Sequence, residues 1–137
     1  FAGKILNDIR EAFYKKVAAA RTLTNIHVYD QRVPFSQLAS LLQTCHCIVI
    51  PYKNVHQSSG ALAYAAQYKK PLIAPADGLL GKLIRRNHLG LTLPVCDAEA
   101  LRTAFSQDLC KYFDKNKAQT YLQDIDAERF AQALLGD

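Results

Sequence analysis

Residues 47–74 read CIVIPYKNVHQSSGALAYAAQYKKPLIA. The stretch begins with an apolar run that ends at Pro51 and passes through a polar loop into a helical segment that reaches about Lys70. A second apolar run, residues 72–74, follows directly. Short apolar runs on either side of a helical segment are typical of two parallel strands joined by a crossover helix.

The opening of this predicted helix is a candidate anion site. Backbone N–H groups in the first turn of a helix have no partner inside the helix and lie at its positive dipole end, where they suit phosphate. Ser58 and Ser59 can cap the helix and still donate hydroxyls outward, and Gly60 allows a ligand to approach the backbone closely. Capping alone also explains the two serines, so both roles stay open at this point.

The rest of the chain alternates between strand-like and helix-like apolar patterns. Strands are predicted at residues 1–2, 26–29, 46–50, 72–74 and 91–93, and helices at about residues 6–20, 34–44, 58–70, 79–87, 98–113 and 117–135. This alternation predicts an α/β fold built on a three-layer, doubly wound parallel sheet of the Rossmann-like type. Such sheets bind ligands beyond the carboxyl ends of their strands, which is where the helix opening at Ser58 lies.

The apolar spacing also predicts which helix faces are buried. The four-residue spacing of Ile5, Ile9, Phe13 and Val17 indicates one stripe of the first helix that faces the core. Pro34 suits the first turn of the second helix. The inward positions of that second helix are predicted to be Phe35, Leu38, Leu41 and Leu42.

Composition limits the classes of protein to consider. The chain has 137 residues, half of them apolar, which is enough for one domain with its own core over residues 1–137. The net charge of +5 favours anionic ligands, but the basic residues are scattered without interleaved aromatics, so no nucleic-acid binding is predicted. Solvated helix faces explain these charges, with contact to phosphates or to an acidic membrane surface as the alternative.

The sequence also predicts the cellular location of the protein and whether the chain is part of a larger one. No apolar run approaches the ~20 residues of a membrane span, and no signal-type segment opens the chain, so we expect a cytoplasmic protein, peripheral at the inner face of the membrane at most. The chain opens on Phe1 and contains no Met, so we expect it to be a fragment of a larger, two-domain protein.

The cysteines are predicted to be buried free thiols in a reducing compartment. Cys45, Cys47, Cys96 and Cys110 have neither the paired spacing of a zinc site nor the density of a disulfide scaffold. On a strand, His46 would face away from its two cysteine neighbours, which makes the Cys-His-Cys run a poor tetrahedral site. We predict neither a metal nor a cofactor.

Several motifs, taken in their order, resemble a known family. They are FAGK (residues 1–4), NIHVY (25–29), VIPY (49–52), QSSGAL (57–62), KPLIA (70–74), DGL (77–79) and DAEAL (97–101). Over nearly the whole chain they resemble the carboxyl-terminal domain of GT-B glycosyltransferases of the family 4, or group 1, type. In that family this domain holds the nucleotide-diphosphate half of a sugar donor, and a separate amino-terminal domain holds a glycan or lipid-linked acceptor.

The resemblance implies roles for individual residues. Ser58, Ser59, Gly60 and Ala61 would face the diphosphate, and the loop around Arg32 and Val33 would lie beside the base. His56 stands where the family often has a glutamate that touches the donor sugar, which makes it the candidate catalytic residue, and Tyr64 stands where a second glutamate grips the ribose. Tyr52 follows a strand end and could line the cleft.

The implied function is transfer of a sugar, of the hexosyltransferase type, from a nucleotide-diphosphate donor in surface-polysaccharide biosynthesis. The family retains anomeric configuration and needs no tightly bound metal, and this domain alone is expected to be inactive. The alternative is a non-catalytic nucleotide-binding or interaction module on the same fold, consistent with the two replaced glutamates. A receiver-type domain needs a denser acidic cluster than Asp30 with Asp77, and a lectin-like module needs more aromatic platforms than Tyr52 and Tyr64.

Overall fold

The computed structural model describes residues 1–53, 55–56 and 59–126. The elements in chain order are α1 (Asn7–Ala20), α2 (Phe35–Thr44), β1 (Ile48–Val49), α3 (Gly60–Tyr68), β2 (Leu72–Pro75), α4 (Gly78–Arg86), β3 (Gly90–Leu93), α5 (Ala98–Phe105), a 3-10 helix (Leu109–Tyr112) and α6 (Lys115–Asp124). The chain divides into two compact units, residues 1–41 and the part from Leu42 onward. Within the described residues, no helix combines the length and the apolar character needed to cross a membrane.

In the amino-terminal unit, Asp30 links the residues before α1 to α1 itself. Its carboxylate accepts a hydrogen bond from the backbone N–H of Ile5 at 2.8 Å and forms a 2.8 Å ion pair with Arg10. The Ile5 N–H, helped by the Arg10 charge, holds the pKa of Asp30 below its usual value. The two strands predicted in this unit meet only as a parallel bridge between Ala2 and Tyr29.

Two of the predicted inward side chains are exposed. Ile9 of α1 is 51% exposed and Phe35 of α2 is 56% exposed, whereas Val17 and Leu42 are buried as expected. Phe35 is the first residue of its helix, where the chain has just entered the turn and is not yet covered by neighbouring helical residues. The predicted stripes are therefore wrong at these two positions.

The second unit is built on a parallel sheet. In its described part, three strands lie in the order β1-β2-β3, with Ile48 beside Leu72 and Leu72 beside Gly90. Gly90 has φ +154, and a Cβ placed on it would lie 2.1 Å from the carbonyl oxygen of Leu72, so the strands meet there only because the residue is glycine. The mixed α/β class with a parallel sheet is thus confirmed, although β1 is shorter than the predicted strand 46–50.

Helices cover both faces of this sheet. Leu72 and Ala74 belong to one buried cluster, and Ile73, between them, belongs to another. Because successive strand residues point to opposite faces, the two clusters lie on opposite sides of the sheet. The first cluster takes in α3, α4 and α6 through Leu62, Leu80, Ile84 and Tyr121. The second takes in α5 through Ala104.

The chain after β3 corrects the prediction of one long helix over residues 98–113. The helix ends at Phe105, and two aspartates then start new turns because their carboxylates accept backbone N–H groups. Asp108 accepts from Cys110 at 3.1 Å, and Asp114 accepts from Asn116 at 2.8 Å. The last helix thus begins at Lys115 and ends at Asp124, with Ile125 as its C-cap, so the predicted helix 117–135 is wrong at residues 125–126. Residues 127–135 of that prediction lie outside the described residues.

The cysteines are free, as predicted, but they are not deeply buried. Cys45, Cys47 and Cys96 are half-buried, whereas Cys110 is exposed. Cys110 lies in the 3-10 helix that replaces the predicted continuous helix.

Candidate functional site

A cleft lies at the carboxyl edge of the sheet, where sequence and fold class predicted a ligand site. Its volume is about 350 Å³. The walls come from the segments that follow the three strands, and the lining residues are Pro51, Tyr52, Lys53, Val55, Pro75, Asp77, Pro94, Val95, Cys96 and Asp97. Three loops that are far apart in the sequence therefore meet at one place, because parallel strands end on the same side of their sheet.

The opening of α3 leaves space over its first turn. Ser59 has extended backbone angles, and its hydroxyl accepts a hydrogen bond from the backbone N–H of Ala61 at 3.2 Å. The next donor, the N–H of Leu62, is taken by the Ser59 carbonyl at 3.0 Å. Gly60 is exposed, and a Cβ built on it would meet no atom of the described residues within 4 Å, apart from its chain neighbours and its own helix backbone. The capping role of Ser59 is therefore established, and the backbone at Gly60 remains open to a ligand.

Tyr52 connects the cleft to this helix opening. Its ring lines the cleft and is 45% exposed. Its hydroxyl lies 3.4 Å from the hydroxyl of Ser59. A ligand held at the start of α3 would thus find a phenol hydroxyl and an aromatic face on the side that leads into the cleft.

Val55 holds the loop between β1 and α3 against the start of α4. Val55 is buried, and its carbonyl accepts the backbone N–H of Leu80 at 3.2 Å. Gly78 has φ +63, and a Cβ placed on it would lie 2.4 Å from the Val55 carbonyl oxygen, so this close approach requires glycine. The contact joins the segment after β1 to the start of α4, and residues of both segments line the cleft.

This contact changes the role of Asp77. Asp77 occupies the N-cap position of α4, where an aspartate usually accepts an N–H from the first turn, yet its side chain makes no capping bond. The third N–H of the helix, that of Leu80, is donated to Val55 instead. Asp77 is exposed and is one of the residues that line the cleft.

The cleft is acidic on balance. Asp97 caps α5 by accepting the N–H of Ala100 at 2.8 Å and also lines the cleft. Among the described lining residues the charged groups are two carboxylates, Asp77 and Asp97, and one ammonium, Lys53. Neither aspartate is predicted from the sequence as a site residue, although each follows the carboxyl end of a strand, and that position is the available signal.

Cys96 also lines the cleft. Burial, helped by the neighbouring charge of Asp97, raises the pKa of its thiol. Because the thiolate is the reactive form of cysteine, this residue is a poor nucleophile at neutral pH.

The remaining predicted site residues differ in exposure and in the unit to which they belong. His56 is exposed in the loop before α3, and Tyr64 is half-buried on α3, one turn beyond Gly60. Arg32 is exposed and Val33 half-buried, and both belong to the amino-terminal unit. Ser58 lies outside the described residues. The grouping that the structure shows is therefore Tyr52 with Ser59, Gly60 and Ala61.

No cluster of three or more His, Cys, Asp or Glu side chains suited to a metal ion occurs within the described residues. Comparisons of this chain with models of protein families, with curated proteins and with solved structures give no match.

Proposed function

We propose that the chain is the donor-binding domain of a GT-B glycosyltransferase, with the doubly wound, three-layer sheet of that architecture. One observation carries the proposal: an open, serine-capped helix start stands beside a cleft at the carboxyl edge of a parallel sheet, and Tyr52 contacts both. The helices on both sheet faces support the same architecture. The ligand class is a nucleotide-diphosphate sugar.

The start of α3 is suited to the diphosphate. The N–H of Gly60 lies at the positive end of the helix dipole, beside the Ala61 and Leu62 N–H groups that Ser59 accepts. This end of the helix favours an anion by about 0.3–1 kcal/mol at an exposed site and up to ~2 kcal/mol when partly buried. The hydroxyls of Ser59 and Tyr52 add neutral donors. No side chain is needed over Gly60, and none of the described atoms blocks the approach.

The same groups would assist sugar transfer. As the bond between the sugar and the diphosphate breaks, negative charge grows on the leaving diphosphate, and fixed donors at the helix start stabilise it electrostatically. The acceptor, a glycan or a lipid-linked sugar, would come from a separate domain that also closes the cleft. His56 is exposed in the loop that borders the site and would meet the donor sugar from that side. Work at the cytoplasmic face of a membrane fits such acceptors.

A non-catalytic nucleotide-binding module is the second candidate. It is favoured by His56 and Tyr64, which supply no carboxylate at the two positions where the family often uses glutamate. The two functions differ in turnover: only the first predicts release of free nucleoside diphosphate from a sugar donor when the chain is joined to its acceptor domain.

Calorimetric titration with UDP, GDP and ADP tests the proposal. The wild-type chain should bind at least one nucleotide, and Gly60→Asp should abolish that binding by placing negative charge where the diphosphate sits. An aspartate in the first turn suits the helix dipole, so this variant should stay folded. Gly60→Ala is the matched control, since it adds a side chain without charge. Equal affinity of Gly60→Asp and wild type would refute the proposed site.

A further inference from the structure

We propose that the edge of the sheet where its parallel strands begin, opposite the cleft, is a docking surface for a bilayer that contains anionic lipids. The basic edge, as we name this surface, consists of residues 69–70, 86–88 and 105–117. It shares no residue with the cleft or with the start of α3, so this inference does not depend on the proposed function.

Backbone hydrogen bonds bring the three segments of the basic edge together. The N–H of Leu72, shortly after the first segment, donates at 2.9 Å to the carbonyl of Leu89, directly after the second. The carbonyl of His88 accepts the N–H of Asp114, which belongs to the third segment, at 2.9 Å. Because β2 and β3 begin here and end at the cleft, the basic edge and the cleft lie at opposite ends of the same strands.

The basic edge carries most of the net positive charge of the chain. Its segments contain six Lys and Arg residues and two Asp, which leaves a net charge of +4, compared with +5 for the whole sequence. The charged residues that line the cleft, in contrast, are two aspartates and one lysine. All the cations of the edge are exposed except the half-buried Lys70; they are Lys69, Lys70, Arg86, Lys111, Lys115 and Lys117.

The two carboxylates of the basic edge are engaged by backbone groups. Asp108 accepts the N–H of Cys110 at 3.1 Å. Asp114 accepts the N–H groups of Asn116 and Lys117 at 2.8 and 3.1 Å. Neither of the two ion pairs formed within the described residues includes one of the six cations. The positive charge of this edge is therefore available to an external anion.

The types of cation favour a bilayer over a nucleic acid or an acidic protein. Five of the six are Lys, a flexible point charge, whereas the planar fork of Arg is better suited to a phosphate or carboxylate held in fixed geometry. Lys is also depleted in protein–protein interfaces. An anionic bilayer requires only the charge, and each Lys or Arg near its surface strengthens binding about fivefold.

Two exposed aromatic rings on the basic edge also fit a bilayer. Phe105 is the last residue of α5 and is 56% exposed, and Tyr112 is the last residue of the 3-10 helix and is 37% exposed. The Tyr112 hydroxyl donates to Gln107 at 2.6 Å, which ties the 3-10 helix to the turn after α5. Aromatic rings and long lysine side chains suit the interface between membrane and water, because each combines an apolar part with a polar end.

Flotation of the whole chain with lipid vesicles tests this surface. The vesicles contain either phosphatidylcholine alone or an equimolar mixture of phosphatidylcholine and phosphatidylglycerol. The edge variant combines Lys111→Gln, Lys115→Gln and Lys117→Gln. The matched control combines Lys15→Gln, Lys16→Gln and Lys82→Gln, which are exposed positions outside the basic edge, so both variants have the same net charge. Glutamine is about as good a helix former as lysine, so both should fold, and urea unfolding checks this.

Wild type should bind the mixed vesicles and not those of phosphatidylcholine alone. The edge variant should bind the mixed vesicles about a hundredfold more weakly, since three charges are lost, whereas the control variant should bind nearly as well as wild type. Equal weakening in the two variants, or no binding of wild type to the mixed vesicles, overturns this inference.

A fluorescent oligouridylate provides the comparison with nucleic acid. If wild type bound this RNA but not the mixed vesicles, and the edge variant lost the RNA, the basic edge would be a nucleic-acid surface and the lipid assignment would be wrong. Calorimetry with UDP, GDP and ADP should give the same affinity for the edge variant and wild type. Failure of vesicle binding would therefore leave the proposed function standing, and failure of nucleotide binding would leave this inference standing.

Discussion

The hydroxyl of Tyr52 lies 3.4 Å from the hydroxyl of Ser59, the residue that caps α3. Tyr52 belongs to the loop after β1 and lines the cleft, whereas Ser59 begins the helix whose first turn is open at Gly60. This contact links the loop that lines the cleft to the start of α3.

Removal of the Tyr52 hydroxyl should reduce nucleotide affinity with little effect on folding. Tyr52 is 45% exposed, so Tyr52→Phe should change the free energy of unfolding by less than about 0.5 kcal/mol. Loss of one hydroxyl hydrogen bond to the charged diphosphate should weaken binding by about ten- to a hundredfold. Calorimetry and urea unfolding measure the two effects. Tyr112→Phe is the matched control, since that hydroxyl donates to Gln107 at 2.6 Å outside the cleft, and equal weakening in both variants would contradict the role of Tyr52.

Two substitutions of Ser59 separate its capping role from its proposed binding role. Ser59→Ala removes the acceptor for the Ala61 N–H and should lower the free energy of unfolding by about 1 kcal/mol. Ser59→Asp keeps a good cap, so stability should hold within a few tenths of a kcal/mol while nucleotide binding is lost through repulsion of the diphosphate. If Ser59→Asp bound nucleotide as well as wild type, Ser59 would be only a cap.

Replacing two glycines by alanine should have opposite effects on stability. At Gly60 the added Cβ meets no described atom within 4 Å beyond its own helix, so Gly60→Ala should be neutral or stabilise the fold by about 0.4–1 kcal/mol. At Gly90 the Cβ would lie 2.1 Å from the Leu72 carbonyl at a φ of +154, so Gly90→Ala should cost about 2–6 kcal/mol. Urea unfolding measures both variants. A large loss at Gly60 would show that its glycine serves the fold and weaken the argument that the position is kept open for a ligand.

Acid should weaken the fold in part through Asp114. The backbone N–H of Lys117, with that of Asn116, holds the pKa of Asp114 below its usual value of 3.8. A pKa that is lower in the folded state gives stability above the unfolded pKa of about 3.9, and that stability is lost as the pH falls through the folded pKa. The difference in urea midpoint between wild type and Asp114→Asn should therefore be constant above about pH 5 and shrink below about pH 4. A difference independent of pH would contradict this assignment.

Much of the helical structure could be predicted because its signals are local. The starts of α1, α2 and α4 lie within one residue of the predicted positions, and the described start of α3, Gly60, lies two residues after the predicted one. These start positions are predicted by the regular apolar spacing and by Pro34, which lie within one or two turns of the helix starts. The end of α5 at Phe105 was not predicted, because the apolar spacing continues across it. The sequence signal for this end was the pair of capping residues, Asp108 and Asp114, that start the next two helices.

For the cleft, the sequence predicted only its position at the carboxyl edge of the sheet. Its position beyond the strand ends follows from the parallel sheet, and Tyr52 was expected there. The missing cap bond of Asp77 was not predictable, because the Leu80 N–H is donated to the Val55 carbonyl, and a carbonyl acceptor leaves no trace in side-chain identity. The exposure of Ile9 and Phe35 likewise depends on which neighbours pack nearby, which a residue's own type does not determine.

The most direct test of the central claim is an amide NMR titration of the chain with UDP, GDP and ADP. The account predicts that one nucleotide shifts the amide signals of Gly60 and Ala61 most strongly, followed by those of Tyr52 and Asp77, with one saturation curve for all four. Saturable binding whose largest shifts fall elsewhere, for example on α6, with Gly60 and Ala61 unmoved, would contradict a diphosphate site at the start of α3.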